Sequence, residues 1–340
     1  MRPRALLLHG VLDPGGRPDE ADTLVQVREI GAVLEGLGFA TAELGLGLDL
    51  RPLRALARRP PEIVFYLVEA LEGRAALQHL PAVVLEASGL RFTGAPAAAL
   101  QLTTDKLAAK RLLRRAGLLT PDWVIDPLAA DPERLWIVKA VDEDASLGLD
   151  AGSVVPGHRV AERLARCQAR FGGRWFAEAY LDGREFNLAM LECEGEPELL
   201  PIGEIDFSAL PAGRPRIVDY DAKWSPGSTS YEATPRIFEP RLGDGPLRCE
   251  LAALALETWR LFGLRGYARV DVRVDAQGRP WILEVNANPC LSADAGYVTA
   301  LEEAGLDQRT GVVRILEAAG LALPAAVGAG ARRAERLGVG

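Results

Sequence analysis

The stretch YARVDVRVDAQGRPWILEVNANP, residues 267–289, constrains this chain more than any other segment. Arg269 to Asp275 alternates polar and apolar residues, AQGR holds a turn glycine, and Pro280 to Asn286 alternates again. That pattern predicts a β-hairpin. Side chains repeat every two residues along a strand. Arg269, Asp271 and Arg273 therefore share one face of the first strand, and Ile282, Glu284 and Asn286 one face of the second. Paired across the turn, Asp271 meets Glu284 and Asn286. Two carboxylates and an amide are hard oxygen ligands of the kind that suits Mg²⁺, which takes few carboxylates and completes its shell with water and substrate phosphates. An ordinary exposed hairpin carrying surface carboxylates is the other reading of the same residues.

A chain of 340 residues exceeds one typical core, and about two or three domains are expected. A net charge of −8 argues against a nucleic-acid binder, which would carry a basic face. No apolar run reaches the length of a membrane span, and the apolar part of MRPRALLLHG is too short for a signal peptide. Cys167, Cys193, Cys249 and Cys290 are scattered without metal-pair spacing, as expected of reduced thiols in a cytoplasmic protein.

Strand and helix signals alternate over the first hundred residues. Strands are expected at 5–10, in FATAEL and at 62–68, with helices over 22–37, 49–59 and 74–88. This order implies a parallel sheet whose ligand-facing loops lie at the strand C-termini. A helix over 104–116 follows, with Thr103 or Thr104 as N-cap. Strands at 136–141 and 175–181 flank a loop, DEDASLGLD, and a helix over 158–171.

Lys139 stands on an otherwise apolar strand, where an ammonium requires an anion, either a ligand or a salt-bridge partner. Ser146 and Gly148 in the next loop are small enough for backbone N–H groups to approach phosphate oxygens, although no P-loop pattern is present. Glu178 and Glu185 flank the turn after the following strand and are placed to accept hydrogen bonds from an adenine amino group or ribose hydroxyls.

In order along the chain, Lys106, IVKA, DASLG, EAYLDGREF, YARVD and LEVNANP resemble the ATP-grasp superfamily, and within it the D-alanine–D-alanine ligase branch. TGAPAAALQLTTDKLAAKRLLRRAGLLTP is similar to that branch's linker, and VDYDAKW to its substrate-side loop. The resemblance implies an α/β (α+β) three-domain ATP-grasp fold, with an N-terminal parallel-sheet domain and two ATP-clamping domains. Their spans would be 1–100 on the substrate side, 101–185 for the linker helix and lid, and 186–323 for the metal-bearing domain, with a mobile tail over 324–340. It also implies that Lys106, Lys139, Ser146 and Gly148 hold ATP phosphates, and that Glu178, Ala179, Tyr180, Leu181 and Glu185 hold adenine and ribose. Asp271, Glu284 and Asn286 would hold two Mg²⁺ ions, or Mn²⁺ in their place. Arg269, Lys223 and Ser146 would serve catalysis. The implied reaction is ligation of a carboxylate to an amine through an acylphosphate, between small amino-acid or amine substrates, by a homodimer.

Departures from the branch fall in the amino-acid pockets. The lid serine position is Ala145, the tyrosine after Lys223 is Trp224, and a histidine after the third strand is Glu69. The first loop, HGVLDPGGRPDEAD, lacks a GGxSxE pattern, the Pro-Gly step after the metal asparagine is Pro289-Cys290, and a serine position further on is Ala295. The ATP and metal positions are spared. A ligase with a different amino-acid pair is therefore expected, with His9, Glu69, Trp224 and Cys290 as candidate substrate contacts. The rivals are a D-alanine–D-alanine ligase whose pockets are built from other residues, and a non-catalytic nucleotide-binding sensor.

Overall fold

The computed structural model describes residues 2–12, 18–143, 145–238 and 245–323, and for residues 18–20 the backbone only. The expected mobile tail over 324–340 lies outside the described residues. Three sheets follow one another along the chain. In the first, β1 (Arg4–Gly10) lies between β2 (Ala40–Leu46) and β3 (Ile63–Tyr66), all parallel. Helices α1 (Pro18–Gly36), α2 (Arg51–Leu56) and α3 (His79–Ala87) connect them and lead onwards. The expected helix over 74–88 is a 3₁₀ turn at Ala75–Leu77 followed by α3.

The linker holds two helices where one was expected. Ahead of α5 (Lys106–Arg115) stands α4 (Ala97–Thr104), an Ala-rich segment that the turn-like TGAP before it disguises. The N-cap of α5 is Asp105, whose carboxylate accepts from the Ala108 N–H at 2.8 Å, and not Thr103 or Thr104. Both threonine hydroxyls bond back to carbonyls within α4, at Ala99 and Leu100. A short acidic side chain is a strong cap in its own right. Its placement makes Lys106 the first helical residue.

The second sheet is antiparallel, in the order β4 (Trp123–Val124), β7 (Trp175–Ala179), β5 (Leu135–Ala140), β6 (Val154–Pro156), with α6 (Val160–Phe171) packed on it. Trp136, Val138, Cys167, Trp175 and Ala177 form a core of its own.

The third sheet joins β8 (Arg184–Cys193), β9 (Glu196–Leu199), β10 (Gly203–Ile205), β11 (Arg236–Phe238), β12 (Tyr267–Val274) and β13 (Pro280–Asn286). Helices α7 (Tyr220–Trp224) and α8 (Thr229–Glu232) precede β11, α9 (Pro246–Phe262) precedes β12, and α10 (Gly296–Glu303) and α11 (Gln308–Ala318) follow β13. Its apolar face shares cores with the first sheet: Leu6, Val64 and Phe92 cluster with Leu188, Val270 and Ile282. Among the described residues no helix is long and apolar enough to cross a membrane.

The hairpin pairs as β12 against β13, with Asp271 opposite Glu284 and Arg269 opposite Asn286. Plain alternation fails at one place. Val272 opposes Ile282 while Asp271 opposes Glu284, so Leu283 is an extra residue, a β-bulge. Ile282 consequently does not share the face of Glu284. It is fully buried in the core with Val285, whereas Leu283, Glu284 and Asn286 face a cavity. A sequence that reads as strict alternation conceals this, because one inserted residue reverses the faces of everything beyond it.

Ile282→Ala removes a side chain with no exposure from beneath the hairpin. It is expected to destabilise the protein by about 2–5 kcal/mol, measured by urea unfolding.

Candidate active site

The loops after β1 and β3, the loop after β5 and the polar face of the third sheet enclose a cavity of about 1510 Å³. Gly10, Val11 and Leu12, with Glu69, Ala70 and Glu72, line it from the C-terminal ends of the parallel strands, as the βαβα order predicts.

Its floor is a ladder of polar residues across β8, β12 and β13. Arg273 opposes Glu185, Asp271 lies between Asn187 and Glu284, and Arg269 opposes Asn286. Alternate residues on the same strands (Phe186, Leu188, Val270, Val272) are fully buried on the other face. Asp271 accepts two hydrogen bonds from Arg269, at 2.8 and 2.9 Å, and one from the Asn187 side chain at 2.8 Å. Burial alone would raise its pKa, but the Arg269 charge and hydrogen bonds, the Lys223 charge and the Asn187 hydrogen bond together hold it below the ordinary carboxylate range. The Glu284 carboxylate lies 3.6 Å from the Lys106 ammonium, and the Asn286 side chain accepts from the Asn288 N–H at 2.9 Å.

Lys106 also donates to the Glu143 carbonyl at 2.5 Å, which ties the start of α5 to the loop after β5. Lys139 lines the cavity and donates to Glu178 at 2.7 Å, so the salt-bridge partner considered for it exists. Glu178 is itself fully buried and pairs with a second ammonium, Lys110, one turn beyond Lys106. Burial pushes Lys110 down to about 8 against the pull of Glu178, whose own pKa falls because its two lysines outweigh burial. Lys110 escaped the sequence reading because KLAAKRLLRR looks like a solvated basic face.

The loop after β5 is held from several sides. Arg174 binds Asp142, Arg163 donates to the Gly148 carbonyl at 2.9 Å and to Asp150 at 3.0 Å, and the Ser146 hydroxyl donates to the Val218 carbonyl at 3.0 Å. The Trp224 indole donates to the Ala145 carbonyl at 3.0 Å. Asp219 caps α7, accepting from the Ala222 N–H at 2.9 Å, and so sets Lys223 and Trp224 on the cavity wall. Trp224 thus clasps the loop.

Some expected residues lie away from the cavity, whereas Glu69, Glu185 and Cys290 line it. His9 does not reach the cavity; its ring packs on Gly45 of β2 and its Nδ1 lies 2.7 Å from the Gly10 carbonyl. Glu178, Ala179, Tyr180 and Leu181 are not among the cavity-lining residues, and neither is Gly148, which packs against Trp175. Glu185 does line the cavity, where Arg273 binds it. Glu69 accepts from Gln26 at 2.8 Å. Cys290 bonds Asp22 at 2.8 Å, and burial, with the charges of Glu69 and Asp22, raises its thiol well above the ordinary range. That is the opposite of an activated nucleophile. Asn187 and Arg236 also line the cavity, and the sequence did not single them out.

A family model described as D-ala D-ala ligase C-terminus matches residues 135–317. A D-alanine–D-alanine ligase of Gloeobacter violaceus is 30% identical over 318 residues, covering 90% of this chain and 97% of that protein. The chain belongs to the D-alanine–D-alanine ligase family. Its members are ATP-dependent ligases that form a C–N bond and use a divalent metal. A second D-alanine–D-alanine ligase, from Cupriavidus metallidurans, is 31% identical over 94% of each chain. An uncharacterized protein of Sinorhizobium fredii is 31% identical over 77% of this chain and 75% of its own. The ATP-grasp fold is shared with the Bacillus anthracis D-alanine–D-alanine ligase solved with ATP, at a TM-score of 0.70 and 20% identity over 94% of this chain and 97% of that one. It is shared too with D-alanyl-alanine synthetase A of Vibrio cholerae, at a TM-score of 0.72 and 18% identity over 94% and 99%.

Replacing Glu178 with leucine leaves two ammonium groups without their shared anion. A loss of about 3–5 kcal/mol of stability is expected by urea unfolding at pH 7, well beyond that of Glu162→Ala on the exposed face of α6.

Proposed function

We propose that this protein joins the carboxylate of one small substrate to the amine of another through an acylphosphate, and that the pair differs from two D-alanines. The observation that carries this reading is Asp271 opposite Glu284 on a cavity wall that also bears Arg269, Lys106 and Lys139. The relatives named D-alanine–D-alanine ligases supply the reaction class.

The chemistry is limited by repulsion between a substrate carboxylate and the γ-phosphate of ATP. Fixed cations relieve it without reorganising during the reaction. Lys106 and Lys139 are buried or half-buried, so their charges act at a reduced dielectric on phosphate oxygens. Arg269, gripped through two hydrogen bonds by Asp271, is oriented to stabilise the oxyanion that forms when the amine attacks. The loop clasped by Ser146 and Trp224 excludes water, which would otherwise hydrolyse the acylphosphate. Lys223 adds positive charge beside Asp271. Glu185 meets the ribose.

The donor set fits Mg²⁺. Asp271 and Glu284 face each other on one wall with Asn286 beside them, and among the described residues no third acidic, histidine or cysteine side chain joins them. Few carboxylates with space for phosphates and water is what this ion prefers. Asp271, Glu284 and Asn286 would hold it, as two ions or with Mn²⁺ substituting, and it would supply Lewis-acid charge to the phosphates.

The amino-acid wall argues for a changed pair. Trp224 uses its indole on the Ala145 carbonyl, and Ala145 has no hydroxyl to offer. Glu69, Asp22 and Cys290 line the cavity together, an acidic group suited to receive the first substrate's ammonium. The domain spans 1–100, 101–185 and 186–323, a cytoplasmic setting and a homodimer belong to the same proposal.

Phosphate release from Mg-ATP against D- and L-amino acids, singly and in pairs, tests the reading. Turnover by an unlike pair supports it, and turnover with D-alanine alone at a comparable rate would return the substrates to two D-alanines. Asp271→Asn and Glu284→Gln are each expected to abolish phosphate release while leaving thermal unfolding within a few degrees of wild type. Unchanged turnover in either variant would remove the metal assignment.

A further inference from the structure

Arg273 shares the polar face of β12 with Arg269 and Asp271 and lines the same cavity, although only 3% of it is exposed. One terminal nitrogen, Nη2, donates to Oε2 of Glu185 on the neighbouring strand. The other, Nη1, donates to the Arg216 carbonyl at 2.9 Å and to the Leu181 and Gly183 carbonyls at 3.4 Å. The guanidinium also lies over the Phe207 ring, 5.4 Å from its centre. Separate pieces of chain therefore meet on one side chain: β8, the connection from β7 to β8, and both ends of the excursion from Phe207 to Arg216. A planar fork of fixed donors holds such a set where a flexible ammonium does not.

The partners of Arg273 bear on the cavity. Glu185 is 8% exposed and lines it, and among the described residues its Oε1 accepts no hydrogen bond. A carboxylate held through one oxygen presents the other in a fixed direction to a hydroxyl. Gly183 presses on β12, where a Cβ would run into the Val274 carbonyl, so the connection between the second and third sheets has little room to shift. Arg216 is fixed twice, since its N–H donates to the Tyr180 hydroxyl at 2.9 Å. Just beyond it, the Val218 carbonyl accepts from Ser146, and the Tyr220 N–H donates to the Leu149 carbonyl at 3.1 Å. Residues 216–220 thus run from Arg273 to the loop after β5.

We infer that Arg273 is a positioning residue: it sets the Glu185 carboxylate for the hydroxyls of the nucleotide's sugar and ties that seat to segment 216–224, which fastens the loop after β5. This rests on the ligase reading above, in which Glu185 meets the ribose. Without its guanidinium, Glu185 is an unpaired buried charge, free to turn away from a hydroxyl. With it, Glu185, the connection from β7 to β8 and segment 216–224 move as one body. A sugar that engages Glu185 then stabilises the fastened loop, and one that lacks its hydroxyls leaves both loose.

Calorimetric titration of Mg-ADP and Mg-2′,3′-dideoxy-ADP onto the whole protein tests this without a known amino-acid pair. Wild type should bind ADP about 10-fold or more tighter, as hydrogen bonds to a charged group provide. Arg273→Met keeps the stem and loses the fork, and should bind the two nucleotides within about threefold of each other. Arg273→Lys should recover little of the preference. Glu185→Gln should lose it as well. The double variant with Arg273→Met and Glu185→Gln, which leaves no unpaired charge, should lose no more than either single variant. Wild type indifferent to the hydroxyls, Arg273→Met that keeps the preference, or losses that multiply in the double variant overturn the assignment. So does a weakening of both nucleotides by the same factor, which is what a purely structural staple predicts. Hydrogen exchange at saturating nucleotide reads the coupling: Mg-ADP should slow exchange over residues 216–224 in wild type but not in Arg273→Met, and equal protection overturns it. No binding of Mg-ADP by wild type overturns the ligase reading instead.

Discussion

Two carboxylates facing each other across a β-ladder repel, and in a partly buried wall that repulsion is only weakly screened. Asp271 and Glu284 are placed this way by β12 and β13, and the surrounding structure supplies compensating charge. Arg269 grips Asp271, Lys106 approaches Glu284, and Asn187 connects Asp271 to Arg236. A further layer out, Lys139 and Lys110 share Glu178. The wall is a set of alternating charges. Binding a metal and a triphosphate would exchange partners within that set rather than bring charge into an apolar site.

The same constraint explains why distant segments converge here. Tyr267 and Asn288 bond each other, and Asn288 reaches the Val68 carbonyl at the end of the first sheet. Gln26 and Glu29 on α1 accept from the Leu291 and Ala293 N–H groups. The first unit is therefore docked on the turn that follows Asn286. The loop after β5 is fastened at its base by Arg163 and Arg174 and at its tip by Ser146 and Trp224. In the proposed reaction both enclosures keep water from an acylphosphate that hydrolysis would otherwise consume.

Much of this was legible in the residues. The period-2 alternation of 269–275 and 280–286 located the hairpin, and the strand–helix order of the first hundred residues located the parallel sheet. Lys106, Lys139, Asp271, Glu284 and Asn286 reach one cavity as their order along the chain suggested. What was not legible has physical causes. The bulge at Leu283 leaves no mark in an alternating sequence, so Ile282 was assigned to the wrong face. His9 looked like a cleft residue because it ends a strand, but its ring turns towards β2. Lys110 and Arg236 look like solvent cations until burial is known.

The sequence by itself determined the secondary structure that carries the carboxylates, the family and the reaction class, because hydrophobic period and ordered polar motifs are properties of the chain. Tertiary structure alone decided which charges meet. Glu178 comes to lie between Lys110 and Lys139, and Arg236 comes to rest on Gly296, because sheet register and close packing join residues far apart in sequence. No local pattern encodes such a contact. That charged part of the cavity wall therefore emerges only when the third sheet and α10 are packed together.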